Sequence, residues 1–240
     1  MWNSLLIGAV LIDWNKIRSD SYLRNITAIS GVEQISFRKP VTVFVGENGS
    51  GKSTLLEAIA IAYGFNPEGG TRNYSFSTYD SHSELCNAIR LSRSVRRAGY
   101  GYFLRAESFY NVATREIDYA DAFHPSLRFH ERSHGESFLT LVQNSFRPNG
   151  VYLLDEPEAA LSPQRQLTLL MEIVRYAKEG AQFIIATHSP ILLGIPDAEI
   201  LSFDEGKIHP CAYEETDSYQ VTKMFIDHRE QILRRLLEEE

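Results

Sequence analysis

The sequence predicts an α/β fold with a mainly parallel sheet, and three features carry that expectation. A β-rich run, Val41–Val45, leads straight into a glycine-rich loop and then into an apolar helix, Leu55–Tyr63. Two later runs, Val151–Leu154 and Gln182–Thr187, are apolar almost throughout, as strands covered on both faces are. Between them lies a helical pattern, so strand and helix alternate in the order that a parallel sheet requires.

Taken in order, Ser4–Ile12 reads as a buried or edge strand ending at Asp13. The helix after the glycine loop is stopped by Gly64 and Pro67. The middle, about 65–148, is less regular. Ser81 and Glu84 have capping-box spacing before an expected helix over 83–97, Gly101–Phe109 reads as a strand, and Glu136–Phe146 as a helix. Ser162 and Pro163 open the next helix, with Leu167, Leu170, Val174 and Ala177 as its expected core stripe and Gly180 as its stop. Ala198–Phe203 and Lys207–Ala212 flank Asp204-Glu205-Gly206 as a hairpin, and Tyr219–Leu237 forms a terminal helix.

Composition narrows the function classes. The chain has 240 residues, 43% of them hydrophobic and 23% charged, which suits a globular protein. A net charge of −7 and a pI near 5.6 exclude a wholly basic, nucleic-acid-coating surface, although not a local basic patch. Arg90, Arg93 and Arg97 would form such a patch on one face of the expected helix. Two cysteines, Cys86 and Cys211, give neither a disulfide framework nor a zinc pattern. The first apolar run falls short of the roughly 20 residues that span a bilayer and lacks a basic leader. The expectation is a cytoplasmic protein without a transmembrane segment of its own.

Gly46-Glu47-Asn48-Gly49-Ser50-Gly51-Lys52-Ser53, followed by Thr54, fits GxxxxGK[ST]. A triphosphate needs converging backbone N–H donors, which glycines at 46, 49 and 51 permit, and a helix N-terminus pointed at the anion. Lys52 is then expected to reach the β- and γ-phosphates of ATP, and the Ser53 hydroxyl to hold Mg²⁺. The strand Val151–Leu154 ends in Asp155-Glu156. Asp155 is placed to hold Mg²⁺ and Glu156 to accept a proton from the attacking water. An apolar strand ending in two acids is weak alone. Paired with the phosphate loop it is specific.

With these motifs on the page, the chain resembles the ABC-class P-loop ATPases, most closely small stand-alone bacterial members related to the chromosome-maintenance and DNA-repair branch. Gly46–Ser53 resembles that family's Walker A motif, and Asp155-Glu156 its Walker B with the following glutamate. Ser133-His134-Gly135-Glu136-Ser137 sits where the family carries its signature motif, with His134 and Glu136 as departures. The resemblance implies that Ser133 and Gly135 contact the γ-phosphate held by a second subunit. It also makes Ala159–Ser162 a D-loop, and His188, 33 positions after Asp155, the γ-phosphate-sensing histidine. A Q-loop glutamine is absent where the family has one. Glu107, in Leu104-Arg105-Ala106-Glu107-Ser108, is the candidate replacement as an Mg²⁺ or water ligand.

The resemblance therefore implies a single ATPase domain over 1–240. It would have an N-terminal antiparallel β portion and a helical sub-lobe at about 65–148. The implied activity is Mg²⁺-dependent ATP hydrolysis by an ATP-dependent homodimer. Three kinds of work remain open: action on nucleic acid or with an effector protein in genome maintenance or defence, service as the nucleotide-binding subunit of a membrane transporter, or a regulatory switch with little turnover. Only 103 positions separate Lys52 from Asp155, too few for a long coiled-coil insertion.

Overall fold

The computed structural model describes residues 5–71, 83–105 and 134–238, with 134–137 and 238 described by backbone alone. Among them are nine strands: β1 (Ile7–Ile12), β2 (Gln34–Ser36), β3 (Val41–Val45), β4 (Ile89–Arg93), β5 (Tyr100–Arg105), β6 (Gly150–Asp155), β7 (Gln182–Ala186), β8 (Glu199–Ser202) and β9 (His209–Pro210). The helices are α1 (Lys52–Tyr63), α2 (Leu85–Ala88), α3 (His134–Ser145), α4 (Pro163–Lys178), α5 (Pro190–Leu193) and α6 (Asp217–Glu238). No helix among the described residues is long and apolar enough to cross a membrane.

The main sheet runs β5-β6-β7-β3-β8-β9, parallel except for the final β8–β9 pair. A second, antiparallel sheet runs β2-β1-β4. The expected N-terminal antiparallel portion is therefore present, with β1 as its central strand. Helix α1 packs against both sheets. That explains why Leu55, Leu56, Ala58, Ile59, Ala60 and Tyr63 are all buried rather than one stripe. Gly64, in the left-handed region, ends the helix and donates to the carbonyls of Ala60 and Ile61.

Strand parity sorts the core into two layers. Phe44, Val151, Leu153, Ile184, Ala186 and Leu201 face α1 and the small sheet. Val43, Val45, Tyr152, Leu154, Phe183 and Ile185 face α3, α4 and α5. Residues two apart share a face, so Gln182 projects with Ile184 towards the small sheet. There its amide accepts from the Ile7 N–H and donates to the Ile7 carbonyl, both at 2.8 Å. Gln182 is 1% exposed and Ile7 fully buried, so this two-point contact satisfies the backbone where the sheets meet. Gln182→Leu leaves both Ile7 groups unpaired and is expected to cost about 2–4 kcal/mol, read as a lower urea midpoint.

Two expectations are corrected. The stretch 83–97 is not one helix: after the single turn α2 it becomes β4, because Ile89 and Leu91 alternate inward and pair with Ile12 and Val10. The arginine face dissolves with it. Arg93 instead donates to the Ala62 carbonyl and lies over the Tyr63 ring, while Arg96 reaches the Gly180 carbonyl at 3.5 Å. On α4 the buried residues are Leu169, Ile173 and Tyr176, whereas Leu167 is 52% exposed. The apolar positions of α4 span more than one stripe, and contact with β7 and α3 selects which is covered. The β8–β9 hairpin forms as expected, and the terminal helix begins two residues earlier, at Asp217. Within the expected sub-lobe, 72–82 and 106–133 lie outside the described residues, and β4 and β5 belong to the two sheets.

Candidate active site

The carboxyl ends of β3, β6 and β7 lie side by side, and the chemistry-bearing residues follow each of them directly. After β3 comes the glycine loop, with Gly46, Gly49 and Gly51 at φ of +145°, +82° and +99°. Gly51 is required twice over. It occupies the left-handed region, and a Cβ there would sit 2.5 Å from Ile29 Cδ1 and 2.7 Å from Ile26 Cγ2. Gly51→Ala is expected to lower stability by about 1–3 kcal/mol, seen as a reduced melting temperature, and to weaken ATP binding by displacing the loop.

Lys52 opens α1 and is only 4% exposed, its ammonium donating to the carbonyls of Gly46 (2.7 Å) and Glu47 (2.8 Å). Burial pulls its pKa below the ordinary lysine value, while Glu156, Asp204, Asp155 and Glu158 push it back up. The Ser53 hydroxyl donates to Asp155 Oδ1 at 2.8 Å. Parity explains the meeting: Asp155 shares the face of Val151 and Leu153, the side on which α1 lies. Thr54 completes the first turn of α1, half-buried.

Glu156 follows β6 with φ +47° and ψ +49°, a left-handed conformation rare for a residue with a side chain. Its N–H donates to the Ala186 carbonyl, extending the β6–β7 ladder by one bond before the chain breaks away into the 3-10 turn Pro157–Ala160. Backbone strain of this kind concentrates at functional sites. Glu156 thereby lines an open cleft of about 580 Å³ with Glu47, Asn48, Glu158 and His188. His188 follows β7. Its N–H donates to Glu158 Oε1 at 2.6 Å, and its buried Nε2 has no hydrogen-bond partner among the described residues.

The residues fit ATP and Mg²⁺. The backbone amides of Asn48, Gly49, Gly51, Lys52 and Ser53 find no acceptor among the described residues, and the buried Ser50 hydroxyl is also unpartnered there. Those are donors of the kind an anion collects. Ser53 Oγ and Asp155 Oδ1 are two hard oxygens side by side. No group of three or more His, Cys, Asp or Glu suited to a metal exists among the described residues. The protein thus offers a site that phosphate oxygens and water must complete, which is how Mg²⁺ is usually held.

Of the sequence-expected residues, Gly46–Thr54, Asp155, Glu156 and His188 converge at this edge of the sheet. Gly135 lies in the first turn of α3, described by backbone alone, while Ser133 and Glu107 lie outside the described residues. Sequence reasoning passed over three participants. Glu158, two residues after Glu156, tethers His188. Asp204, read only as a hairpin residue, accepts the Glu47 N–H at 2.9 Å. Glu57, one turn after Ser53 on α1, binds Arg105 at 2.6 Å. The i,i+4 spacing of Ser53 and Glu57 was the available signal for the last.

Comparison with known proteins agrees with this geometry. Residues 22–124, which contain the glycine loop, match the family described as "AAA domain". Residues 137–194, which contain Asp155, Glu156 and His188, match "AAA domain, putative AbiEii toxin, Type IV TA system". The chain is 25% identical over 186 residues to the hemin import ATP-binding protein HmuV of Aliivibrio fischeri, covering 70% of this chain and 72% of that protein. The chain is a P-loop ATPase similar to the ABC class. Another relative of the ATPase is the cytochrome c biogenesis ATP-binding export protein CcmA of Bartonella quintana, 27% identical over 73% of this chain and 86% of that protein. Among solved structures, the SMC head domain from Thermotoga maritima aligns with a TM-score of 0.48 and 18% identity, covering 87% of this chain and all of that one.

Proposed function

We propose that the protein hydrolyses ATP as an ATP-dependent homodimer, a soluble cytoplasmic ATPase coupled to nucleic-acid maintenance or defence. The observation that carries the reading is the convergence of Lys52, Ser53, Asp155, Glu156 and His188 on one sheet edge. In this reading the single domain spans 1–240, with a sub-lobe at about 65–148.

Lys52 and the loop Gly46–Thr54, through those of its amides that have no acceptor of their own, bind the phosphates. Ser53 and Asp155 hold Mg²⁺, with Glu107 as a further ligand. Bound Mg²⁺ supplies positive charge that offsets the phosphates beside Asp155, Glu156, Glu158 and Asp204. Glu156 orients the attacking water and takes its proton. His188, held at its backbone by Glu158, uses its buried ring nitrogen to contact the γ-phosphate.

Exposure of Glu47, Asn48 and Gly49 supports a second copy: the cradle covers one side of a triphosphate, and Ser133 and Gly135 of the partner would cover the other. Loss of the γ-phosphate then removes contacts made only in the closed pair, which opens it. The test is light scattering of Glu156→Gln with ATP and Mg²⁺. A doubled mass supports the closed pair, and a monomer that still binds ATP overturns it.

The defence or nucleic-acid role draws on the description of the family matched by 137–194. A second reading, the ATPase subunit of a membrane transporter, is favoured by the names of the import and export relatives. Stimulation of turnover by DNA or RNA selects the first. Co-purification with a membrane protein selects the second.

A further inference from the structure

Strand β5 lies parallel to β6 with Arg105 directly beside Asp155. Parity puts Arg105 on the face of Phe103, which is the α1 face, so its guanidinium points to the side of the sheet where Asp155 meets Ser53. Two residues of α1 then approach the same acid along different routes. Ser53 Oγ donates to Asp155 Oδ1 at 2.8 Å. Glu57, one turn on, holds Arg105 Nη1 at 2.6 Å, and Arg105 Nε stands 3.8 Å from Asp155 Oδ2. The side chains of Arg105, Glu57 and Asp155 are 23%, 13% and 9% exposed, so these charges are poorly screened by water.

We infer that Arg105 is a positioning residue that sets the metal preference of the site. This rests on the reading in which Ser53 and Asp155 hold the metal. An aspartate with both oxygens free can bind a cation through one or through both. Here Oδ2 stands 3.8 Å from a guanidinium anchored by Glu57, while Oδ1 accepts from Ser53 Oγ, so the two oxygens meet different surroundings. One-oxygen ligation suits the short, near-octahedral shell of Mg²⁺. The larger, adaptable shell of Ca²⁺ accepts two oxygens of one carboxylate. Arg105 and Glu57 together add no net charge beside the metal. Their effect is therefore on the orientation of Asp155 and on which of its oxygens is available.

The experiment measures binding of ATP carrying a fluorescent ribose tag while MgCl₂ or CaCl₂ is titrated into wild type, Arg105→Ala, Arg105→Lys and Glu57→Gln. Arg105→Ala is expected to raise the Mg²⁺ half-saturation by about tenfold and the Ca²⁺ value by much less, so that the ratio moves. Arg105→Lys should recover part of the preference, because an ammonium is a compact charge that cannot engage Glu57 and Asp155 as a planar fork does. Glu57→Gln, which loosens the anchor and keeps the arginine, should shift the ratio in the same direction by less, and it serves if Arg105→Ala fails to fold. An unchanged ratio in Arg105→Ala, or in Glu57→Gln where that variant stands in, overturns the inference. So does an equal shift for both metals, which a purely structural role would give. Failure of the underlying reading looks different: wild type itself would bind the tagged ATP with no dependence on either metal.

Discussion

Glu156→Gln is expected to lower steady phosphate release by about 10²–10⁴-fold while ATP binding persists. The substitution keeps size and hydrogen-bonding reach and removes the ability to take a proton. Glu156 stands off the end of β6 in a left-handed conformation and lines the cleft, and its N–H is already committed to Ala186. Its backbone position is thus fixed independently of the carboxylate, and the amide should occupy the same place. Rapid-quench measurement of phosphate formation, with equilibrium binding of labelled ATP alongside, separates the two effects. A parallel loss of binding would mean that Glu156 shapes the pocket and not the chemistry.

Lys52→Met is expected to do the reverse, weakening ATP binding by about 10–100-fold, from the loss of charge-assisted bonds worth about 1.5–3 kcal/mol. Methionine keeps the buried stem and removes the ammonium. In the absence of nucleotide the fold should tolerate the change. Burial opposes the charged form of Lys52, so its removal lifts that cost even as the carbonyls of Gly46 and Glu47 lose their donor. Equilibrium dialysis with labelled ATP gives the affinity, and thermal unfolding gives the stability. If stability collapses with affinity, Lys52 is a structural clamp for the loop.

Much of this site was legible in the sequence because it is local. The loop Gly46–Ser53, the pair Asp155-Glu156 and His188 are each short motifs at the end of an apolar strand, and a buried parallel strand has a strong signature. The parallel sheet was legible for the same reason. What stayed hidden depends on pairing between distant segments. β4 could not be told from a helix until Leu91 and Ile89 met β1. The buried stripe of α4 is chosen by what packs on it, which displaced Leu167 outward. Asp204 entered the site because β8 lies beside β3, bringing a hairpin residue to the Glu47 N–H. Arg105 and Asp155 became neighbours through the β5–β6 register alone. Gln182 reads as one polar residue at the start of an apolar strand, and only the second sheet explains it.

The most direct test is phosphate release by the purified chain in saturating ATP and Mg²⁺, run beside the same protein in EDTA. Phosphate released only where Mg²⁺ is present, with ATP held there and held more weakly in EDTA, is the outcome that a phosphate loop joined to an Asp155–Ser53 metal site predicts. Equal release in EDTA, or a chain with Lys52 and Glu156 intact that retains no ATP at all, contradicts it.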